Sequence, residues 1–380
     1  MPNPSPRLLD KGRAIELVLN GQACRFHAIW LRDNAQDALT RSPTNGQRLI
    51  TLLDIPEDVR IADAAWSGEQ LNLTFAPEGR VIAFDPDWLL AHAYDKPAPS
   101  VAGWTGSDVT RWDAGMADRI PVETFRAINS EDGALLRWLA GVRRYGFARL
   151  ASVPAVSDAV CDVAGLFGYV RETNYGRTFD VRARVNARNL ADTNLGLQAH
   201  TDNPYRDPVP GLQILMCLEN DVEGGDSIVV DGFKLVERLQ AEMPRGFALL
   251  SRHPARFEYA GSPDVCLRSK RPIIELGVDG ELLAVRFNNR SAAAFTDILF
   301  DDMADYYAAC RRMAELVEDP ALAIRFRLAP GDLFIVDNQR VLHARTAFTG
   351  SGERLLQGCY ADRDGLLSTL ALLEKSVANA

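Results

Sequence analysis

Short runs of apolar residues alternating with polar ones fill positions 13–86: AIELVLN, CRFHAIWL, QRLITLLDI, LNLTFA and RVIAFD, separated by LNGQ, SPTNGQ and PEGR. Two-residue alternation between turn signals predicts a small antiparallel domain. A short helix in DPDWLLAHAY closes it, and KPAPSVAGWTGSDVT clusters Pro, Gly and Ser as a linker does. The pattern therefore divides the chain into a β-rich domain over 1–95, a linker over 96–119 and a larger domain over 120–380. In the larger domain, SEDGALLRWLAGVRRYG spaces apolar residues at 135, 136, 138, 139 and 142 behind the N-cap candidate Ser130, which predicts an amphipathic helix. GFARLASV reads as a strand and VSDAVCDVAGLFGYV as a helix. From residue 195 onward strands dominate: GLQILMCLE, DSIVVDGF, RPIIELGVDGELLAVRF with a hairpin about Asp279-Gly280, RFRLAPGDLFIVDN and RLLQGCYAD. Two helical segments, KLVERLQAEM and MADYYAACRRMAELVED, interrupt them. Strands spaced by turns, with a few helices outside, predict a mainly β (α+β) double-sheet barrel.

Composition removes several classes of function. A chain of 380 residues with 47% hydrophobic content can bury a substantial core. Its net charge of −9 argues against sequence-independent nucleic-acid binding, which needs a basic surface. The start, MPNPSPRLLDKGR, has no apolar stretch of the signal-peptide kind, and no segment approaches the roughly 18 apolar residues of a membrane span. Six scattered cysteines without a CxxC fit reduced thiols in a cytoplasmic protein.

Chemistry enters at LQAHTDNPY, where one of only five histidines sits two places before an aspartate. In extended backbone, residues i and i+2 point the same way, so His200 and Asp202 can converge on one ion. Taken alone, the tripeptide fits a metal site or an ordinary half-buried His paired with a carboxylate. A mononuclear iron(II) centre of the oxygenase type needs a second histidine, and His343 supplies one in PGDLFIVDNQRVLHARTAF. Eleven residues later Arg354 opens another strand, and an arginine deep in a barrel calls for an anion whose planar shape its fork matches.

HTD, a distal histidine and an arginine on the next strand resemble the iron(II)/2-oxoglutarate dioxygenases of the taurine-dioxygenase and γ-butyrobetaine-hydroxylase superfamily. HAIWLRDN, GGDSIVVDGF, DNQRVLHAR and LQGCYADRD extend the resemblance to the γ-butyrobetaine-hydroxylase branch along nearly the whole chain. It implies a small N-terminal domain before a double-stranded β-helix, or jelly-roll, catalytic domain. It also implies iron on His200, Asp202 and His343, which form the catalytic set, 2-oxoglutarate and O2 as cosubstrates, and stimulation by ascorbate. Arg354 would pair with the distal carboxylate of 2-oxoglutarate. Ser227 stands where relatives carry a hydroxyl near it, though a plain turn serine fits as well. A homodimer acting on a small zwitterion follows from the same resemblance, and the charge, hydropathy and cysteine pattern above add a cytoplasmic protein with neither nucleic acid nor membrane as partner. Relatives often carry a zinc-binding cysteine cluster after WLRDN; here Ala35, Asp37 and Thr40 occupy those places, so no zinc is expected.

For the substrate, the branch implies an aromatic cage around a trimethylammonium group, matched here by Tyr175, Phe179 and Tyr360, with Asn189 and Asn289 at the anionic end. Quaternary ammonium has no N–H to donate, so π faces and diffuse charge must recognise it. Three positions depart from the butyrobetaine pattern: Asp192 where a cage tyrosine is usual, and, at the anionic end, Arg290 after Asn289 and Tyr205 in HTDNPY where a smaller residue is usual. They are similar to those of (2-trimethylaminoethyl)phosphonate hydroxylases. The expectation is therefore hydroxylation of that phosphonate at the carbon next to phosphorus. The alternative within the branch is hydroxylation of γ-butyrobetaine to L-carnitine, and a metal-free betaine-binding protein is the competing class.

Overall fold

The computed structural model describes residues 5–95, 101–182, 194–349 and 352–379. Two compact units divide the chain, Met1–Ser100 and Val101–Ala380.

In the first unit, Arg7–Leu9, Ala14–Leu19 and Gln22–His27 form one antiparallel sheet, and Arg60–Ser67, Gln70–Ala76 and Arg80–Phe84 form another. Alternate residues of each run, such as Ile15 and Leu17 or Leu71, Leu73 and Phe75, are fully buried in a shared core. Two expectations fail here. AIWLRD continues as a helix, Ala28–Asp33, after the strand ends at His27, and ITLLD holds a 3-10 turn at Leu52–Asp54 in place of a strand. The Arg60–Ser67 strand was hidden by its alanines, which favour helix in isolation. At the positions without thiols, Thr40 donates to Asp37 (2.8 Å), Arg80 holds the same carboxylate (2.6 Å), and Arg32 bridges Thr40 (3.2 Å) to Glu78 (2.8 Å). These groups satisfy one another with side-chain hydrogen bonds.

The second unit is a jelly roll of two sheets. The larger runs Val122–Thr124, Phe147–Ala151, Leu333–Asp337, Leu212–Asn220, Arg354–Ala361, Phe179–Val181; the smaller runs Leu197–His200, Val341–Arg345, Ser227–Asp231, Ala323–Phe326. LFIVD reads as continuous apolar sequence because both its faces are covered. Leu333 and Ile335 pack outward with residues of the Ala134–Tyr145, Ala159–Gly165 and Arg363–Ala378 helices, while Phe334 and Val336 face Val229, Ile324 and Val341 of the opposite sheet. The Ala134–Tyr145 helix begins four residues after Ser130: Gly133, at φ 76°, is its N-cap, and Ser130 instead ends the short Phe125–Ser130 helix and bonds back to Arg126 O. The hairpin about Asp279-Gly280 forms between Ile274–Leu276 and Leu282–Val285, with Gly280 at φ 85°.

Residues 101–119 belong to the second unit. Trp112 is buried there, its backbone N–H donates to Asp231 (3.0 Å), and Arg340 grips Asp231 through two bonds (3.0 and 2.9 Å) while donating to Thr110 O (2.6 Å). The Arg340–Asp231 pair is 3% and 0% exposed, and removing one partner of such a pair strands a buried charge. Arg340→Ala is expected to lower unfolding free energy by about 3–5 kcal/mol, measured by urea denaturation; an unchanged midpoint would show that water replaces the guanidinium without cost.

Candidate functional site

Strand periodicity sets which side chains reach the interior. Along Val341–Arg345, Leu342 packs outward in the helix-covered core, which leaves His343 and Arg345 on the cavity side. Along Arg354–Ala361, Cys359 and Ala361 pack outward, and Arg354, Leu356 and Tyr360 line the cavity. His200 is the direct cross-strand partner of His343, and Val229 faces His343 from the other side. Two histidines far apart in sequence are thereby placed with ring centroids 4.6 Å apart.

Asp202 completes the group. One of its oxygens lies 3.4 Å from His200 Nε2 and 3.8 Å from His343 Nε2, and ligand atoms of the three residues all fall within 4.8 Å of one another. His200 Nδ1 lies 2.7 Å from Gln198 O. A carbonyl can only accept, so the ring proton sits on Nδ1 and Nε2 presents its lone pair to the group. Burial, with His200 and Arg290 close by, pulls the His343 imidazole down to about 3, so it is the neutral ring that a metal requires. Burial opposes ionisation of Asp202, but the neighbouring imidazoles and the hydrogen bond from the Tyr360 hydroxyl prevail and hold the carboxyl well below its usual range. Gln213 Nε2 and the Tyr360 hydroxyl (2.7 Å) both donate to the outer oxygen of Asp202. Asn338 clamps the same residue by its backbone: Oδ1 accepts from Asp202 N–H (2.6 Å), and Nδ2 donates to Asp202 O (3.0 Å) and Pro210 O (2.9 Å). This donor set fits iron(II): two imidazole nitrogens and one carboxylate oxygen converging on one position.

Arg354 fits the cosubstrate. It donates to Gly225 O (2.9 Å), while its Nε and Nη1 are buried without a partner among the described residues. Gly225 is at φ 70°, and a Cβ there would come within 2.7 Å of Arg354 Nε, so the glycine of GGDS makes room for the guanidinium. Burial, with Arg345 nearby, draws the Arg354 group down to about 10, still charged at neutral pH. A buried cation with open donors and, among the described residues, no carboxylate paired to it is a receptor for an anion. Ser227 is buried on the cavity wall as the cross-strand partner of Arg345.

The cavity holds about 750 Å³ and is also lined by Tyr175, Phe179, Tyr205 and Arg290. Phe179 stacks on Tyr360 (4.9 Å, 29°), over Gly358, where a Cβ would meet its ring at 2.5 Å. Tyr205 differs from its expected place at the anionic end. Its hydroxyl donates to Asn203 Oδ1 (2.6 Å) and so accepts from Tyr175 (2.9 Å), which groups it with an aromatic of the expected cage. Asn289 lies on a turn, donates to Gln198 Oε1 (2.6 Å) and lines a separate groove outside this cavity. Arg290 Nη2 donates to His200 Nε2 (2.7 Å), the atom a metal would use, so the guanidinium reaches the metal position from the cavity wall. Asn189 and Asp192 lie outside the described residues. Gln213, Asn338 and Tyr259 were missed by the sequence reading. Gln213 is buried in an apolar strand, a signal of its own, whereas Asn338 was masked by the turn-like DNQ. Asn338→Ala is expected to weaken iron binding about 10- to 100-fold, read by metal titration; unchanged affinity would mean that Asp202 keeps its place without the clamp.

Among the described residues no helix is long and apolar enough to cross a membrane. Residues 106–360 match the model of the family described as taurine catabolism dioxygenase TauD, TfdA. A γ-butyrobetaine dioxygenase of Pseudomonas sp. (strain AK-1) is 36% identical, over 94% of this chain and 92% of the relative. The Homo sapiens γ-butyrobetaine dioxygenase is 29% identical over 93% and 92%, and a trimethyllysine dioxygenase of Meyerozyma guilliermondii 29% over 95% and 94%. With this similarity added to the site, the chain belongs to the TauD/TfdA family, within its γ-butyrobetaine-hydroxylase-like enzymes, and is an iron(II)- and 2-oxoglutarate-dependent dioxygenase.

Proposed function

We propose that this dioxygenase hydroxylates a trimethylammonium zwitterion, γ-butyrobetaine, to give L-carnitine. The observation that carries the proposal is one cavity holding both the His200, Asp202, His343 donor set and a wall of aromatic rings. In this reading the triad holds iron, and Arg354 with Ser227 receives the distal carboxylate of 2-oxoglutarate. Bound there, iron(II) with 2-oxoglutarate and O2 supplies an oxidation that inserts one oxygen atom into a substrate C–H bond while the cosubstrate becomes succinate and CO2. The protein's own part is placement. Gln213, Tyr360 and Asn338 keep Asp202 ionised and aimed, and the Gln198 carbonyl keeps His200 in the tautomer that binds metal. Phe179, Tyr360 and Tyr175 offer π faces to a cation that cannot donate a hydrogen bond. A cytoplasmic homodimer goes with this reading, and sedimentation at working concentration tests its stoichiometry.

The phosphonate expectation is displaced as the first choice. Relatives along nearly the whole chain bear the names of γ-butyrobetaine and trimethyllysine enzymes. Tyr205 has its hydroxyl committed to Asn203, which removes one of the three departures that favoured the dianion. One observation keeps the phosphonate as the second reading: the Arg290 guanidinium lines the cavity, and its fork suits three phosphonate oxygens. Turnover of both substrates by the wild type and Arg290→Ala separates them. Higher kcat/KM for γ-butyrobetaine in the wild type is expected; efficient phosphonate turnover with γ-butyrobetaine ignored would overturn the choice. Under the second reading, Arg290→Ala weakens the phosphonate more than the carboxylate.

A further inference from the structure

The Pro254–Ser262 strand brings into the cavity an aromatic side chain that no motif marked, Tyr259. Its ring centroid is 5.2 Å from that of Tyr205 at an interplanar angle of 31°, and 6.1 Å from that of Tyr175 at 73°. Tyr259 thus lies tilted against Tyr205 and meets Tyr175 nearly edge-on, so the three make a corner. The corner is tied at its polar edge: Tyr175 donates to Tyr205, and Tyr205 to Asn203, next to the metal-binding Asp202. Hydroxyls engaged with one another leave the rings as what this wall presents to a ligand. Glu258, the neighbour of Tyr259, also lines the cavity, but its carboxylate is held by Arg268 (2.8 Å) on the adjoining strand.

We propose that Tyr259 is a specificity-determining residue, a wall of the cation subsite that with Tyr175 and Tyr205 selects a quaternary ammonium over an uncharged group of the same shape. The inference rests on the trimethylammonium reading above. A tert-butyl group and a trimethylammonium group fill the same volume and bury similar apolar area. Only the charged one gains from the negative face of an aromatic ring. A wall that merely packs treats the two alike, and a wall that attracts the cation separates them.

The test uses holoenzyme loaded with iron(II) and 2-oxoglutarate, without O2, and calorimetric affinities for γ-butyrobetaine and its carbon isostere 5,5-dimethylhexanoate. Wild type is expected to prefer the cation, Tyr259→Leu to narrow that preference by about 5-fold, and Tyr259→Phe, which keeps the ring, to leave it unchanged. If Tyr259→Leu fails to fold, Tyr259→Met, of longer reach, carries the same comparison. Equal weakening of both ligands in the ringless variant overturns the role of Tyr259 while leaving the wild-type preference intact. Absence of any preference in the wild type overturns the trimethylammonium reading itself, so the two failures are distinct.

Discussion

His343→Ala is expected to abolish turnover and to leave a folded protein that no longer retains iron. His343 is one of three ligand-type residues whose atoms lie within 4.8 Å of one another, and no other histidine reaches that group among the described residues. Losing an outer hydrogen-bond partner of a metal ligand costs about 10- to 100-fold in affinity; losing the ligand costs more, because the remaining imidazole and carboxylate hold a ferrous ion weakly. His200→Ala and Asp202→Ala should behave alike. Circular dichroism checks the fold, elemental analysis the iron, and succinate release the activity. A His343→Ala protein with most of its iron-dependent activity would remove the triad from the account. Zinc is not expected in the same analysis, and stoichiometric zinc would overturn the reading of Ala35, Asp37 and Thr40.

The second large effect falls on the cosubstrate. Arg354→Ala deprives a buried carboxylate of its partner, a loss of about 2–5 kcal/mol, which raises the 2-oxoglutarate requirement by roughly 30-fold or more. Arg354→Lys restores little of this, since an ammonium on a flexible stem cannot reproduce the planar fork that Gly225 leaves room for. The measurement is the 2-oxoglutarate concentration dependence of succinate release at saturating substrate. An unchanged dependence would move the anion site to another cation of the cavity, with Arg345 the first to examine.

Periodicity and turn chemistry made the double-sheet architecture legible: PGDLFIVDN, GLQILMCLE and RLLQGCYAD are strands of one sheet, and DSIVVDGF and RVLHAR lie in the other. The elements misread were those whose local signal is ambiguous. ADAAW favours helix by propensity and becomes a strand through pairing with LNLTF, and AIWLRD has the apolar content of a strand but turns helical after His27. In the site, His200, Asp202, His343 and Arg354 could be named from sequence because HTD, a distal histidine and an arginine on the next strand together resemble a family's motif, where HTD alone left two readings open. Gln213 and Asn338 could not, because their role is to bond Asp202 from strands whose register is a property of the folded sheets. Tyr205 and Asn289 were placed at the anionic end by resemblance. Hydrogen bonds with Tyr175 and Gln198 engage the two side chains differently, which only tertiary contacts reveal.

The most direct measurement is an incubation with iron(II), 2-oxoglutarate, γ-butyrobetaine and 18O2, followed by mass spectrometry of both products. One labelled oxygen atom is expected in the hydroxylated zwitterion and one in succinate, formed in equal amounts. Succinate formed without any oxygen gained by the zwitterion, or no succinate at all, would contradict this expectation.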